Sequence, residues 1–375
     1  MDAPLSHSER ERYGRHLILP QVGEDGQIRL KKASVLCVGA GGLGYPVALY
    51  LAAAGVGRIG IVDDDRVDLS NLQRQLLHTT PDVGRPKIAS AVERLHAMNP
   101  EIEFTTHATR LVAANVRAIF ADYDIIADGS DNFPTRFLVN DAAFLLKKPL
   151  VAGAIYQFDG QITVFDQSPG SPCYRCLLPE LPAPGSVPSC SEAGVLGALP
   201  GVVGTLLAME VLKLILKQGD SLCGRMMHYD ALAARFREIK LRKNPACALC
   251  GNDATITEPV DLEFSCAAGD STGDLDVHEL RELLQDGFSG VLLDVREPEE
   301  YSAGHIEGAT LVPLRAVPSA LAGMSPEETY LVYCKIGQRS AAAVQFMQQA
   351  GFSKARNVTG GIMAWHRAFG TEMLR

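Results

Sequence analysis

Four of the nine cysteines in this 375-residue chain fall in two CxxC pairs, Cys173 and Cys176 in SPCYRCLLP and Cys247 and Cys250 in NPACALCGN. Each pair sets two thiolates on one turn, and two pairs complete the tetrahedral sulfur shell that Zn2+ prefers. Such a closed shell leaves no position for water, so the metal would be structural; a redox dithiol would need only one pair. A fifth cysteine, Cys334, opens CKIGQRS. A thiol there faces a loop of backbone amides at a helix amino terminus, with Arg339 adjacent, which favours a thiolate or persulfide anion. Gly39, Gly41 and Gly44 form GxGxxG, and an acid, Asp63, follows about twenty residues on. That pattern brings backbone and a helix amino terminus up to a phosphate and a carboxylate up to ribose hydroxyls, and alone it fits NAD as well as ATP. Residues 65–87, DRVDLSNLQRQLLHTTPDVGRPK, add Asn71, Gln73, Arg74 and Lys87. Hydride transfer does not need this set. Cleaving ATP between its α and β phosphates does, because charge gathers on a pentacovalent centre and a pyrophosphate leaving group. A carboxylate to hold Mg2+ is then expected, and Asp131 in SDNFPTRF supplies it.

Elements must hold these groups in place. SVLCVG (34–39), AGGLG and the Ala-rich stretch Pro46–Ala54 read as strand, glycine turn and helix. Further strands are expected at 58–62, 101–106, 124–127 and 149–151, with helical patterns between them. Alternating strands and helices imply right-handed crossovers and a mainly parallel sheet covered on both faces. Asp131 would then sit at the carboxyl end of the sheet. Residues 1–250 form one α/β domain on this reading, and 251–274, polar and small with no sustained period, form a linker. Residues 275–375 form a second α/β domain with an apolar 3.6-period helix at 277–284, strands at 291–295 and 329–333 and a helix beginning near Ser340.

The residues also carry a resemblance. Arg12-Tyr13-Gly14-Arg15, GAGGLG at 39–44, SNLQRQ at 70–75, GRPK at 84–87 and SDN at 130–132 resemble the MoeB/ThiF family, relatives of ubiquitin-activating enzymes. The resemblance covers about the first 250 residues and implies a Rossmann-like adenylation domain with a structural zinc site on the four cysteines. The family uses ATP to adenylate the carboxyl-terminal Gly-Gly of small ubiquitin-like sulfur carriers. It implies ATP and Mg2+ binding by Gly39, Gly41, Gly42, Asp63, Asp65, Ser70, Asn71, Leu72, Gln73, Arg74, Lys87, Asp131 and Asn132. It further implies a homodimer in which Arg15 reaches the partner subunit's site. LLDVREPEEYSAGHIEGA at 292–309, CKIGQRS at 334–340 and TGGIMAW at 359–365 resemble a rhodanese domain over about the last hundred residues. Four residues separate Cys334 from Arg339, the loop length that in that family suits sulfur; relatives with one more residue are phosphatases. Cys190, in a Pro-rich stretch, is assigned by the resemblance a covalent link to the carrier, as thioester or acyl disulfide, and a non-catalytic loop thiol is the alternative.

Together the resemblances imply sulfur transfer from a Cys334 persulfide to the adenylated carrier, giving a thiocarboxylate. The sulfur donor is thiosulfate or a cysteine desulfurase persulfide, and the carrier could serve molybdopterin, thiamine, tRNA thiolation, cysteine or siderophore synthesis. An NAD-dependent oxidoreductase and a non-catalytic scaffold are the rival classes. The formal charge of −9 has the wrong sign for a partner that is nucleic acid or an anionic membrane. The amino terminus does not read as a secretory signal, and the longest uncharged stretch, between Glu192 and Glu210, is broken by Gly and Pro, so no spanning segment is expected and the cytoplasm is the expected location.

Overall fold

The computed structural model describes residues 4–166, 168, 170–182, 194–262 and 273–375. The chain divides into two compact units with the break near residue 263.

In the first unit, helices α1 (His7–Arg12), α2 (Gly14–Leu17) and α3 (Gly23–Lys32) precede β1 (Ser34–Val38). Then come α4 (Gly44–Ala54), β2 (Arg58–Val62), α5 (Lys87–Met98), β3 (Glu103–His107), α6 (Ala113–Ala121), β4 (Ile125–Asp128) and α7 (Phe133–Leu145). The rest is β5 (Leu150–Tyr156), β6 (Asp159–Phe165), α8 (Tyr174–Leu177), α9 (Ala198–Leu216), β7 (Arg225–Asp230) and β8 (Arg235–Lys240). The sheet order is β3-β2-β1-β4-β5-β6-β7-β8. Every residue of β1 is buried, as an apolar run covered on both faces requires.

The sheet is less parallel than the sequence suggests: β3 to β5 pair in parallel, and β5 to β8 are antiparallel. Only Gln157 and Phe158 join β5 to β6. Two residues close a hairpin but cannot carry the crossover that a parallel neighbour needs. The apolar stretch before Glu210 also behaves differently from expectation, because α9 runs through Pro200, Gly201 and Gly204 without a break. Its 19 residues, with mean hydropathy 1.8, are long and apolar enough to cross a membrane. In the fold α9 packs on α4, β5 and β6, and Leu199, Val203, Leu207 and Val211 join the core.

The second unit runs α10 (Val277–Gln285), β9 (Val291–Asp294), α11 (Pro298–Ser302), β10 (Thr310–Leu311), β11 (Tyr330–Tyr333), α12 (Gln338–Gln349), β12 (Ala355–Asn357) and α13 (Gly361–Phe369). Its sheet, β10-β9-β11-β12, is wholly parallel. Successive strand residues enter opposite cores: Leu292, Leu331 and Tyr333 join Trp365 on one face, and Leu293 and Val332 join Met347 on the other.

Candidate active sites

In the first unit, the order β3-β2-β1-β4 means that the chain leaves β1 in one direction and later returns on its other side. The crevice beyond the carboxyl ends of β1 and β4 is where open α/β sheets bind ligands. Two loops line it. Gly39, at φ +88°, lies where an added Cβ would come 3.5 Å from the Gly129 carbonyl oxygen, and a Cβ on Gly44 would run into the Gly39 carbonyl oxygen. The fold itself therefore demands those two glycines. Gly42 is closely covered as well, a Cβ there coming to 3.3 Å from Pro200 Cβ and 3.7 Å from the Arg74 carbonyl oxygen. Gly41 is different: a Cβ there would meet only Gln75 Nε2, at 3.6 Å, so its backbone is nearly bare, as a phosphate cradle requires.

The acidic strand end is tied to the same loop. Asp63 accepts from the Ala40 N–H at 2.7 Å and the Asp65 N–H at 2.8 Å. Burial pushes its carboxyl up, against the pull of nearby Lys87. Lys87 is itself buried, with its ammonium 2.7 Å from Asp65. Solvated surface charge is thereby excluded for Lys87. Arg74 folds back onto its own turn, Nη1 donating to the Ser70 carbonyl at 2.8 Å. Ser70 and Asn71 belong to a short turn capped by Asp68, with Leu72 and Gln73 next in the chain. Asp131 and Asn132 are exposed at the amino end of α7. Asn132 caps that helix, its Oδ1 accepting from the Thr135 N–H at 3.0 Å, so the cap is made by Asn132 and not by the carboxylate of Asp131. Two buried polar atoms of this region, Gln75 Oε1 and Ser130 Oγ, have no hydrogen-bond partner among the described residues.

Arg15 is not part of its own crevice. It is exposed on α2, next to Tyr13, whose hydroxyl accepts from Asn99 Nδ2 and whose ring packs against Gly55 at the carboxyl end of α4. The glycine loop is at the amino end of that 11-residue helix, about 16 Å away along its axis. A polar cleft of about 460 Å³ opens at the amino ends of the strands, lined by Lys31, Arg58 and Lys148 among others. Its cations are already engaged by Glu9, the Asp122 carbonyl and the Ala121 carbonyl, so it does not compete as an anion site.

The four paired cysteines converge. Their Sγ atoms stand 4.0 Å (173–176), 3.6 Å (173–247) and 3.3 Å (176–250) apart, and all four lie within 4.8 Å of one another. Tetrahedral zinc would separate its sulfurs by about 3.8 Å, which fits. Burial and the neighbouring thiols push the Cys173 thiol far up, and burial helps push Cys250 up to about 12. A cation is the natural way to ionise such a group of thiols. Between Cys173 and Cys176, Arg175 makes a buried bidentate pair with Asp141 of α7, at 2.8 and 2.7 Å, and lies over the Phe137 ring. The sequence reading missed this clamp, because 34 residues separate the partners.

In the second unit Cys334 follows β11 at the point where the strand order reverses around β9. It is buried, and its sulfur accepts from the Gly337 N–H at 3.1 Å and the Ser340 hydroxyl at 3.4 Å. The anion-stabilising loop is therefore present, but its donors are Gly337 and Ser340. Arg339 instead turns both terminal nitrogens to Glu300, at 2.7 and 2.9 Å. Cys190 lies outside the described residues.

Residues 13–249 match the family model described as ThiF, and residues 276–368 match the rhodanese-like domain. The chain belongs to the ThiF family. It is 48% identical, over 99% of its length and 96% of the other's, to the probable adenylyltransferase/sulfurtransferase MoeZ of Mycobacterium tuberculosis. The sulfur carrier protein adenylyltransferase of Thermus thermophilus is 56% identical over 69% of this chain and 97% of its own. A crystal structure of Escherichia coli MccB shares the fold, with a TM-score of 0.58 at 23% identity over 66% of this chain and 74% of that one. As a ThiF member with a rhodanese domain, the chain is an enzyme of the adenylyltransferase/sulfurtransferase kind with an ATP-using first unit.

Proposed function

We propose that the first unit uses MgATP to adenylate the carboxyl-terminal Gly-Gly of a ubiquitin-like sulfur carrier and that Cys334 then delivers sulfur to it. The observation that carries this reading is the nearly bare backbone of Gly41 at the β1/β4 crevice, with Asp131 exposed on the facing loop. The carrier carboxylate attacks the α-phosphorus of ATP and pyrophosphate leaves. Amide N–H groups of the glycine loop, with Asn71, Gln73, Arg74 and Lys87, stabilise the charge that develops. Asp131 holds Mg2+, Asp63 and Asp65 face the ribose, and Ser70, Leu72 and Asn132 complete the pocket. Adenylation comes first because a carboxylate attacked directly would have to expel oxide, whereas AMP is a stable leaving group.

Cys334, loaded as a persulfide, attacks the acyl carbon, AMP departs, and an acyl disulfide joins carrier and enzyme. A second thiol, Cys190 or an external one, attacks the Cys334 sulfur of that disulfide, releases the thiocarboxylate and leaves Cys334 in a new disulfide. A thiol reductant then reduces that disulfide, its own sulfurs ending in a disulfide, and the Cys334 thiolate so regenerated is reloaded by thiosulfate or a desulfurase-borne persulfide. We place the enzyme in the cytoplasm as a homodimer. Supporting the dimer, Arg15 lies at the far end of α4 from its own crevice.

The test is ATP–pyrophosphate exchange by the purified protein with a panel of Gly-Gly-ended carriers. Exchange should depend on the carrier and fall at least about a hundredfold in Asp131→Ala. Absence of exchange with every carrier would overturn the adenylation reading. Zinc bound by Cys173, Cys176, Cys247 and Cys250 would tie α8 to residues 247–250 and act in folding. Elemental analysis should find one zinc per chain, lost in Cys176→Ser; a zinc-free wild-type protein with unchanged thermal stability would refute it.

A further inference from the structure

The loop that carries Cys334 offers few charges to an incoming donor. It holds two described cations, Lys335 and Arg339, and the second is committed: its guanidinium forms a two-pronged pair with Glu300 of α11, and its side chain is only 10% exposed. Burial pushes the Glu300 carboxyl up, but Arg339, the Glu297 N–H and Arg296 outweigh it and hold the group below its ordinary value, so it stays ionised. Arg296 is committed as well, to buried Asp294 and the Gly304 carbonyl. Beside half-buried Lys335 the exposed side chains around the thiol include two large apolar ones. Ile336 is 42% exposed at the middle of the loop, and Met363 is 39% exposed on the first turn of α13, whose N–H donates to the Lys335 carbonyl at 3.0 Å.

The two possible donors differ in what they ask of such a site. With thiosulfate, the Cys334 thiolate bonds the outer sulfur, the S–S bond breaks, and sulfite leaves with the electron pair as a dianion. With a persulfide RS–SH, the thiolate bonds the terminal sulfur, the proton stays on it, and RS⁻ leaves with a single charge. A dianionic leaving group calls for fixed cations aimed at it. A persulfide calls for the sulfur-binding amides and an apolar rim.

We propose that Glu300 is a specificity-determining residue for sulfur transfer at Cys334: by holding Arg339 it selects a persulfide borne on a thiol over dianionic thiosulfate. The proposal rests on the reading of Cys334 as the sulfur-accepting thiol. It adds to that reading the class of donor and the residue that chooses it.

The experiment measures thiocyanate formation from cyanide by the full-length protein, with glutathione persulfide and with thiosulfate as donors. Wild type should favour the persulfide at least about tenfold in kcat/KM. Glu300→Gln frees the guanidinium from its charged partner and should raise the thiosulfate-to-persulfide ratio about tenfold, since an ion pair becomes available to the sulfonate. Ile336→Lys adds a cation at an exposed position, leaves the Arg339 pair untouched, and should move the ratio the same way should the first variant fail to fold. A wild-type preference for thiosulfate, or folded variants that leave the ratio unchanged, would overturn the proposal while the sulfurtransferase reading stands. No thiocyanate from either donor, with no persulfide on Cys334, would overturn both.

Discussion

Asp82 shows how much a single carboxylate outside the crevice contributes to holding it. It sits between the polar turn at 70–75 and Lys87 at the head of α5, and it accepts from the Thr79 hydroxyl at 2.6 Å and the Thr79 N–H at 2.8 Å while pairing with Arg85 at 2.5 Å. The Thr79 hydroxyl, against an opposing effect of burial and helped by the Thr79 N–H, Ser90 and Arg85, holds its carboxyl at about 2. The folded value lies below the unfolded one. The ionised group therefore stabilises the fold fully above about pH 4, and the contribution is lost as pH falls through about 2. Asp82→Asn should lower the melting temperature of the first unit by roughly 3–5 °C at pH 7, about 1–2 kcal/mol, with the gap closing towards pH 2. A gap that persists unchanged at pH 2 would show that packing, not charge, is at stake. Asp82 was invisible in the sequence because its value lies in its partners. The paired cysteines and Cys334 were legible for the opposite reason: CxxC and a cysteine before a helix are local patterns whose chemistry is set within one turn. Glu300, 39 residues from Arg339, and Asp141, 34 residues from Arg175, become visible only when helices pack.

Within the β1–α4 element, one glycine run serves two separate demands. Gly44 is fixed by the turn, since a Cβ would strike the Gly39 carbonyl, whereas Gly41 is fixed by what the turn must accommodate, since a Cβ there would meet only Gln75 Nε2, at an ordinary 3.6 Å. Paired variants should separate the demands. Gly44→Ala should fail to accumulate as folded protein, a cost of several kcal/mol being expected when backbone must move. Gly41→Ala should fold with a melting temperature within about 3 °C of wild type and bind ATP at least about tenfold more weakly, measured by calorimetry. Equal ATP affinity in folded Gly41→Ala would mean the space beside it is not the phosphate site. The strand–turn–helix core of this element was readable because β1 is apolar at every position after Ser34 and the glycines punctuate it. The antiparallel half of the sheet was not: all six residues of β8, RFREIK, are exposed, so no buried face marks it as a strand.

Across the whole molecule, both proposed sites are at the same kind of place, the carboxyl ends of parallel strands where the strand order reverses, β1/β4 in one unit and β9/β11 in the other. Each unit supplies its own core beneath its site. What one chain does not supply is an arginine at its own nucleotide crevice from α2, since Tyr13 anchors that helix at the opposite end of α4. If Arg15 completes the site of a second copy, Arg15→Ala and Asp131→Ala damage different halves of a shared site. Each homodimer alone should be inactive in carrier-dependent pyrophosphate exchange. Mixed under conditions that let subunits exchange, half the dimers become hybrids, and in each hybrid one crevice pairs an intact Asp131 with the other chain's intact Arg15. Activity should return to about a quarter of wild type, the share of sites so restored in a two-fold symmetric pair. The same quarter cannot arise if Arg15 serves its own chain, because every crevice would then carry one defect. An exchange-competent mixture that stays inactive would remove Arg15 from the partner's chemistry and leave it a surface residue of α2.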